Sequence, residues 1–138
     1  MSELSKSRLG ELLETASRAR LWVVGDVVRR RVLDQFVWGR VSRISPEAPV
    51  PVVDFDREHL MPGGAANVAR NVTALSGNAE LAGVIGKDEA GQTLRELLAS
   101  ERIGCRSLVS STRRRTTTKM RIVAGQQQIV RLDRETRC

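Results

Sequence analysis

The sequence predicts an α/β fold in which helices flank a parallel sheet and further strands form a lid. Two short apolar runs, residues 21–25 and 80–85, run into glycines, which is typical of buried parallel strands. Apolar residues recur at helical spacing over 65–76 and 89–101, so helices alternate with these strands. Because this order favours a right-handed crossover, we expect the two strands to be parallel in one sheet.

The lid is predicted from strand patterns at residues 36–43, 50–56, 116–124 and 127–133. Partial alternation of apolar and polar residues is typical of strands with one exposed face. The last two strands flank a turn at Gly125 and should form a hairpin. Prolines between the first two strands indicate an extended stretch that is unsuited to central strand pairing. The two exposed strands on either side of it could form a flap over the site.

The ends of the predicted helices carry recognisable signals. Residues 1–20 read as an amphipathic helix, which we interpret as an extension ahead of the sheet. Asp88 is a suitable N-cap for the helix at 89–101, and Gly104 should stop that helix. At 138 residues the chain has room for one domain with a modest core.

Charge and cysteine usage limit the classes of function. The net charge is +7, with arginine clusters at Arg29–Arg31 and Arg113–Arg115. Such clusters bind nucleic acid or phosphorylated ligands, but they are more often a solvated surface, and the scarcity of aromatic residues disfavours a single-strand platform. Cys105 and Cys138 form no metal-binding or disulfide pattern, and no apolar run has the length of a membrane span. We therefore expect a cytoplasmic protein with no membrane contact and no metal site.

Two features of the chain are candidate ligand contacts. Gly63 and Gly64 open the helix at 65–76, so backbone N–H groups could approach a hydroxyl-rich or anionic molecule, and Asn67 adds a carboxamide. A tight loop packed against its own helix explains the same residues equally well. Asp26 follows the first buried strand, at the strand end where open α/β sheets bind ligands.

The motif residues resemble the first signature of the ribokinase-like (PfkB-type) carbohydrate kinases. Every position of that signature is met by Gly63, Gly64, Ala65, Asn67, Ala69, Ser76 and Gly86. Within the family, the stretches LDQFVWGRVSRISPEAPVPVV, MPGGAANVARNVTAL, GVIGKDEAG and TTTKMRIVAGQQQIVRLD are most similar to the heptose-7-phosphate kinase domain of bifunctional heptose kinase/adenylyltransferases. The resemblance spans residues 21 to 134 and implies a partial ribokinase-like fold, with residues 21–138 forming the N-terminal half of the kinase domain.

The resemblance also implies a function and its site. It implies ATP-dependent phosphorylation of a sugar phosphate, on the route to the heptose of lipopolysaccharide. Asp34 in the LD motif would bind sugar hydroxyls, together with Gly63, Gly64 and Asn67. Basic residues on the lid are candidate partners of the substrate phosphate, and a solvated hairpin face is the alternative for each: Lys119, Arg121 and Arg131.

The chain departs from the family in two ways. The segment GDVVRRRVLD is expanded, which separates Asp26 from Asp34. No GAGD-like motif is present, so the anion hole, the general base and the site for ATP and Mg²⁺ are absent and no catalytic residue is assigned. We therefore expect a sugar-phosphate-binding half that does not turn over alone. The alternatives are a non-catalytic binding module or a homodimerisation module built around the lid.

Overall fold

The computed structural model describes residues 5–25 and 33–135. The predicted contacts at Asp26 and in the Arg29–Arg31 expansion lie outside the described residues. The elements in chain order are α1 (Lys6–Arg18), β1 (Arg20–Val24), β2 (Leu33–Ile44), β3 (Pro51–Pro62), α2 (Ala65–Ala74), β4 (Asn78–Gly86), α3 (Glu89–Ser100), β5 (Leu108–Ser111), β6 (Thr118–Ala124) and β7 (Gln127–Arg134).

A three-stranded sheet in the order β1-β4-β5, here called the body sheet, is parallel throughout. Leu21 pairs with Ala79, which confirms the predicted parallel arrangement of the two apolar runs. The helices α2 and α3 pack on one face of this sheet, where apolar side chains form the core. Its largest fully buried apolar side chains are Leu81, Leu94 and Leu98.

The strand β5 was not predicted from the sequence. Its four residues, LVSS, include two serines and are too short to show a periodicity. The loop before it follows β4 closely, since the Gly104 N–H donates to the Ala79 carbonyl at 2.8 Å and the Leu81 N–H donates to the Gly104 carbonyl at 2.7 Å. The position of β5 is therefore set by tertiary contacts with β4.

A four-stranded sheet in the order β3-β2-β6-β7, here called the lid sheet, forms the predicted lid. β2 pairs antiparallel with β3 and parallel with β6, so it joins the flap to the hairpin β6–β7. The edge strand β3 begins at Pro51, as expected for a strand with proline. Both flap strands are longer than predicted, because β2 begins at Leu33 and β3 continues through charged residues to Pro62.

The helix α1 confirms the predicted helix near the N-terminus. The Ser5 hydroxyl caps it by accepting from the Arg8 N–H at 3.2 Å. None of its residues is buried, and Leu9, Leu12 and Leu13 are exposed. Among the described helices, none is both long and apolar enough to cross a bilayer. The division into an extension and a kinase half stays a prediction.

Candidate functional site

The Gly63–Gly64 turn lies between the end of β3 and the start of α2, as predicted. Gly64 has φ 54° and ψ −126°, a conformation that glycine adopts and side chains disfavour. The N–H groups of Ala66 and Asn67 turn back to the Gly63 carbonyl, at 3.1 and 3.4 Å. Those of Gly64 and Ala65 have no backbone partner among the described residues. The turn therefore offers two backbone donors to a ligand, fewer than a free helix N-terminus would.

Close packing fixes this turn against the body sheet. A Cβ on Gly25, directly after β1, would collide with the Ala65 methyl group. Gly63 and Ala66 are buried, whereas Asn67 is exposed on the first turn of α2. The Asn67 carboxamide makes no hydrogen bond with the part of the chain that the structure describes. The small residues hold the turn close to the end of β1, and the polar side chain remains open to solvent.

Asp34 lies at the start of β2, where the lid sheet meets the glycine turn. The register places Asp34 beside Met61, two residues before Gly63. The fold thus brings the predicted sugar-binding carboxylate and the glycine turn to neighbouring strand ends. Asp34 Oδ1 accepts a hydrogen bond from Arg121 Nη1 at 2.6 Å. The predicted carboxylate is therefore paired with one of the predicted phosphate-binding residues.

The other two predicted phosphate-binding residues share a different carboxylate. Asp133 on β7 lies 3.4 Å from Lys119 Nζ and 3.0 Å from Arg131 Nε. The Lys119 side chain is largely buried, while that of Arg131 is exposed. All three predicted basic residues are thus on the lid sheet and in ion pairs. A phosphate bound there would have to compete with Asp133 or Asp34.

Two aromatic residues that were not predicted as site residues lie next to Asp34 on the same face of β2. Phe36 and Trp38 alternate with Asp34, and their rings stack with centroids 5.5 Å apart. The Arg121 guanidinium lies 5.0 Å from the Phe36 ring centroid, and Arg57 lies at the same distance from Trp38. The period of two from Asp34 could have revealed this shared face in the sequence.

A partly buried hydrogen-bond network joins the body to the lid. Asp88 caps α3 as predicted, accepting from the Gly91 N–H at 2.9 Å. It also accepts from the Thr116 N–H and hydroxyl, at 2.8 and 2.5 Å. The Thr116 hydroxyl in turn accepts from the Gly86 N–H at 2.9 Å. Only the N-cap was visible in the sequence, because the partner lies 28 residues further along the chain.

Comparison with known proteins identifies the family to which the chain belongs. Residues 21–137 match the pfkB family carbohydrate kinase. The chain belongs to the pfkB family. The bifunctional protein HldE of Caulobacter sp. (strain K31) is 50% identical over 129 residues, covering 94% of this chain and 26% of that protein. The D-beta-D-heptose 7-phosphate kinase of Bordetella bronchiseptica is 51% identical over 123 residues, covering 88% of this chain and 37% of that protein.

Solved structures share the fold of this chain. A putative ribokinase from Agrobacterium tumefaciens matches with a TM-score of 0.63 at 20% identity, over 83% of this chain and 35% of that one. Phosphofructokinase-2 from Escherichia coli matches with a TM-score of 0.62 at 23% identity, over 81% of this chain and 34% of that one. The partial ribokinase-like α/β fold is therefore confirmed. The chain spans about a quarter to a third of the pfkB proteins it matches.

Kinases of the pfkB family use ATP and Mg²⁺ in general. Magnesium prefers carboxylate, carbonyl and water oxygens around it. The described residues contain no group of three or more His, Cys, Asp or Glu side chains arranged to hold a metal ion.

Proposed function

We propose that this chain is the sugar-phosphate-binding half of a pfkB carbohydrate kinase that phosphorylates D-glycero-D-manno-heptose 7-phosphate. The observation that carries the proposal is the meeting of Asp34 with the Gly63–Gly64 turn through the pairing of β2 with β3. The sequence similarity to a D-beta-D-heptose 7-phosphate kinase supports the choice of sugar phosphate. Such a kinase consumes ATP and serves lipopolysaccharide heptose synthesis, so we place it in the cytoplasm.

The residues present would contribute binding and orientation of the sugar. The Asp34 carboxylate can accept hydrogen bonds from sugar hydroxyls, and the Asn67 carboxamide can both donate and accept. The N–H groups of Gly64 and Ala65 can donate to an oxygen that approaches the turn. Phosphoryl transfer depends strongly on such positioning, since a well-oriented pair of reactants avoids much of the entropic barrier.

Calorimetry with heptose 7-phosphate tests this site. We expect Asp34→Ala and Asn67→Ala each to weaken binding by about 1–3 kcal/mol, because each removes a hydrogen-bonding partner of a polar ligand. Asn71→Ala is the matched control, since Asn71 is also an exposed asparagine of α2 but lies one turn further from the glycine pair. Affinities that are unchanged in the first two variants would reject the site.

The second candidate is a dimerisation module without catalysis. Apolar side chains are exposed on both flap strands and at their tip, namely Val41, Ile44, Val50 and Phe55. Where exposed apolar side chains form a contiguous patch, they mark an interaction surface. A chain that sediments as a dimer but does not bind the sugar phosphate would favour this candidate over the first.

A further inference from the structure

Arg121 is held in the lid sheet by two different contacts on one face. Its guanidinium lies 5.0 Å from the Phe36 ring centroid, and its Nη1 donates to Asp34 Oδ1 at 2.6 Å. The Phe36 ring is itself supported by Trp38, at an interplanar angle of 19°. The Arg121 guanidinium is thus held by both a cation–π contact and an ion pair. Its planar shape suits arginine to make both contacts at once.

The environment of this pair strengthens it relative to a surface salt bridge. The Arg121 and Asp34 side chains are 13% and 15% exposed, so solvent and salt screen them less than exposed pairs. By contrast, the Arg131 side chain is 47% exposed. Lys119 is 14% exposed, as little as Arg121, but its Nζ lies 3.4 Å from Asp133, whereas Arg121 Nη1 lies 2.6 Å from Asp34. Arg121 thus combines a low exposure with the shortest of the three ion pairs.

The strand register explains why Arg121 takes Asp34 as its partner. Arg121 pairs directly with Arg131 across β6 and β7, and like charges in that position repel. Arg131 turns to Asp133 on its own strand, at 3.0 Å. Arg121 instead reaches towards β2, where Asp34 lies two residues before Phe36 on the same face of the strand. Each of the two guanidinium groups thus has its own carboxylate partner.

We propose that Arg121 is a positioning residue for Asp34 rather than a ligand of the substrate phosphate. The ion pair uses Oδ1, and Oδ2 has no hydrogen bond with the described residues, so it is left to accept from a sugar hydroxyl. The Phe36 ring fixes the plane of the guanidinium and thereby the direction of the carboxylate. A phosphate that recruited Arg121 would leave Asp34 without its cation.

Because this inference rests on the proposed function, its test compares a sugar phosphate with the same sugar lacking phosphate. Ligand-observed NMR and calorimetry would measure the binding of heptose 7-phosphate and heptose to the 138-residue chain. We expect Arg121→Gln to weaken both by about tenfold, the loss of one hydrogen bond to a charged group, so the ratio of the two affinities stays constant. Arg121→Lys should recover part of the loss, since it keeps the charge but not the planar stack.

Two further variants separate positioning from charge. Phe36→Leu removes the ring but no charge, and we expect a smaller loss that is again equal for both ligands. Arg43→Gln, on an exposed residue of β2, removes one positive charge and should leave both affinities unchanged. A loss in Arg121→Gln that is confined to the phosphorylated sugar would overturn the inference and leave the proposed function standing. A wild-type chain that binds neither ligand would instead overturn the proposed function.

Inorganic phosphate gives a readout that needs no sugar. In a ¹⁵N-labelled chain, the Arg121 Nε–H signal should stay in place during a phosphate titration and should move when Asp34→Asn is introduced. A saturable shift of that signal with phosphate would show that Arg121 is a phosphate ligand and would overturn the inference.

Discussion

At the scale of single residues, the glycine turn shows why the motif requires its second glycine. Gly64 has φ 54° and ψ −126°, the mirror image of the first central residue of a type II turn. A side chain in this conformation meets its own backbone, whereas glycine does not. The turn sends the chain from β3 into α2, and the Gly64 and Ala65 N–H groups have no backbone partner among the described residues. The same residue thus serves both the fold and the proposed site.

Gly64→Ala should lower the free energy of unfolding by about 1–3 kcal/mol, the usual cost of such backbone strain. Urea denaturation followed by circular dichroism would measure it. Gly10→Ala is the matched control, because Gly10 lies in α1 and an added Cβ there meets nothing within 4 Å. We expect the control to gain up to about 1 kcal/mol of helix stability. Equal effects of the two substitutions would contradict the assigned conformation.

At the scale of elements, Asp88 and Thr116 connect α3, β4 and the start of β6. Burial alone raises the pKa of the Asp88 carboxyl, but hydrogen bonds from Thr116 and Gly91 and the charge of Arg115 outweigh it. The pKa is therefore held below its usual value of 3.8. A carboxyl whose pKa is lower in the folded chain stabilises that chain above its unfolded pKa and stops doing so as the pH falls through the folded pKa.

The contribution of Asp88 to stability should therefore be full at neutral pH and decline below the usual pKa of 3.8. We expect the difference in unfolding free energy between wild type and Asp88→Asn to be constant from pH 7 to about pH 5 and to shrink towards pH 3. Urea titrations across this range would measure it. Asp56→Asn, at an exposed position of β3, should show a small difference at each pH. A difference for Asp88→Asn that persists unchanged at pH 3 would contradict the expectation.

At the scale of the whole molecule, the body sheet has one face covered by helices and one face open in the described chain. The open face carries Trp22, Val24 and Val109, which are 64%, 77% and 62% exposed. Parallel sheets are normally covered on both faces, and open apolar faces promote association. The matched proteins are about three to four times longer than the aligned part of this chain, so they have further polypeptide with which to cover such a face.

The chain should therefore associate through this face as its concentration rises. We expect the double variant Val24→Lys with Val109→Lys to reduce association, because lysine keeps the open face in water. Light scattering and sedimentation velocity over a concentration series would measure it. The control Val68→Lys with Leu75→Lys adds the same charge at exposed positions of α2 and its C-cap, on the opposite side of the sheet. A reduction of equal size in both would assign the effect to net charge rather than to the face.

The sequence alone determined the elements whose signals are local. The apolar runs became β1 and β4, the glycine pair opened α2, Asp88 capped α3, and Gly125 with φ 60° made the hairpin turn. Each of these depends on residues within about one turn of helix or one strand, so a pattern in the chain suffices to reveal it. The specific glycine and asparagine spacing also pointed to the family that residues 21–137 match.

Only the tertiary structure decided which side chains meet. The partners Asp34 and Arg121 are 87 residues apart in sequence, and Asp88 and Thr116 are 28 apart. Neither pairing has a local signal, because each depends on strand register and on how the lid sheet joins the body. For the same reason β5 was not predicted and the flap strands were predicted too short. The pairing of β5 with β4, and of β2 with β3, overrides weak local preferences. The chemistry available to the site follows from these long-range pairings.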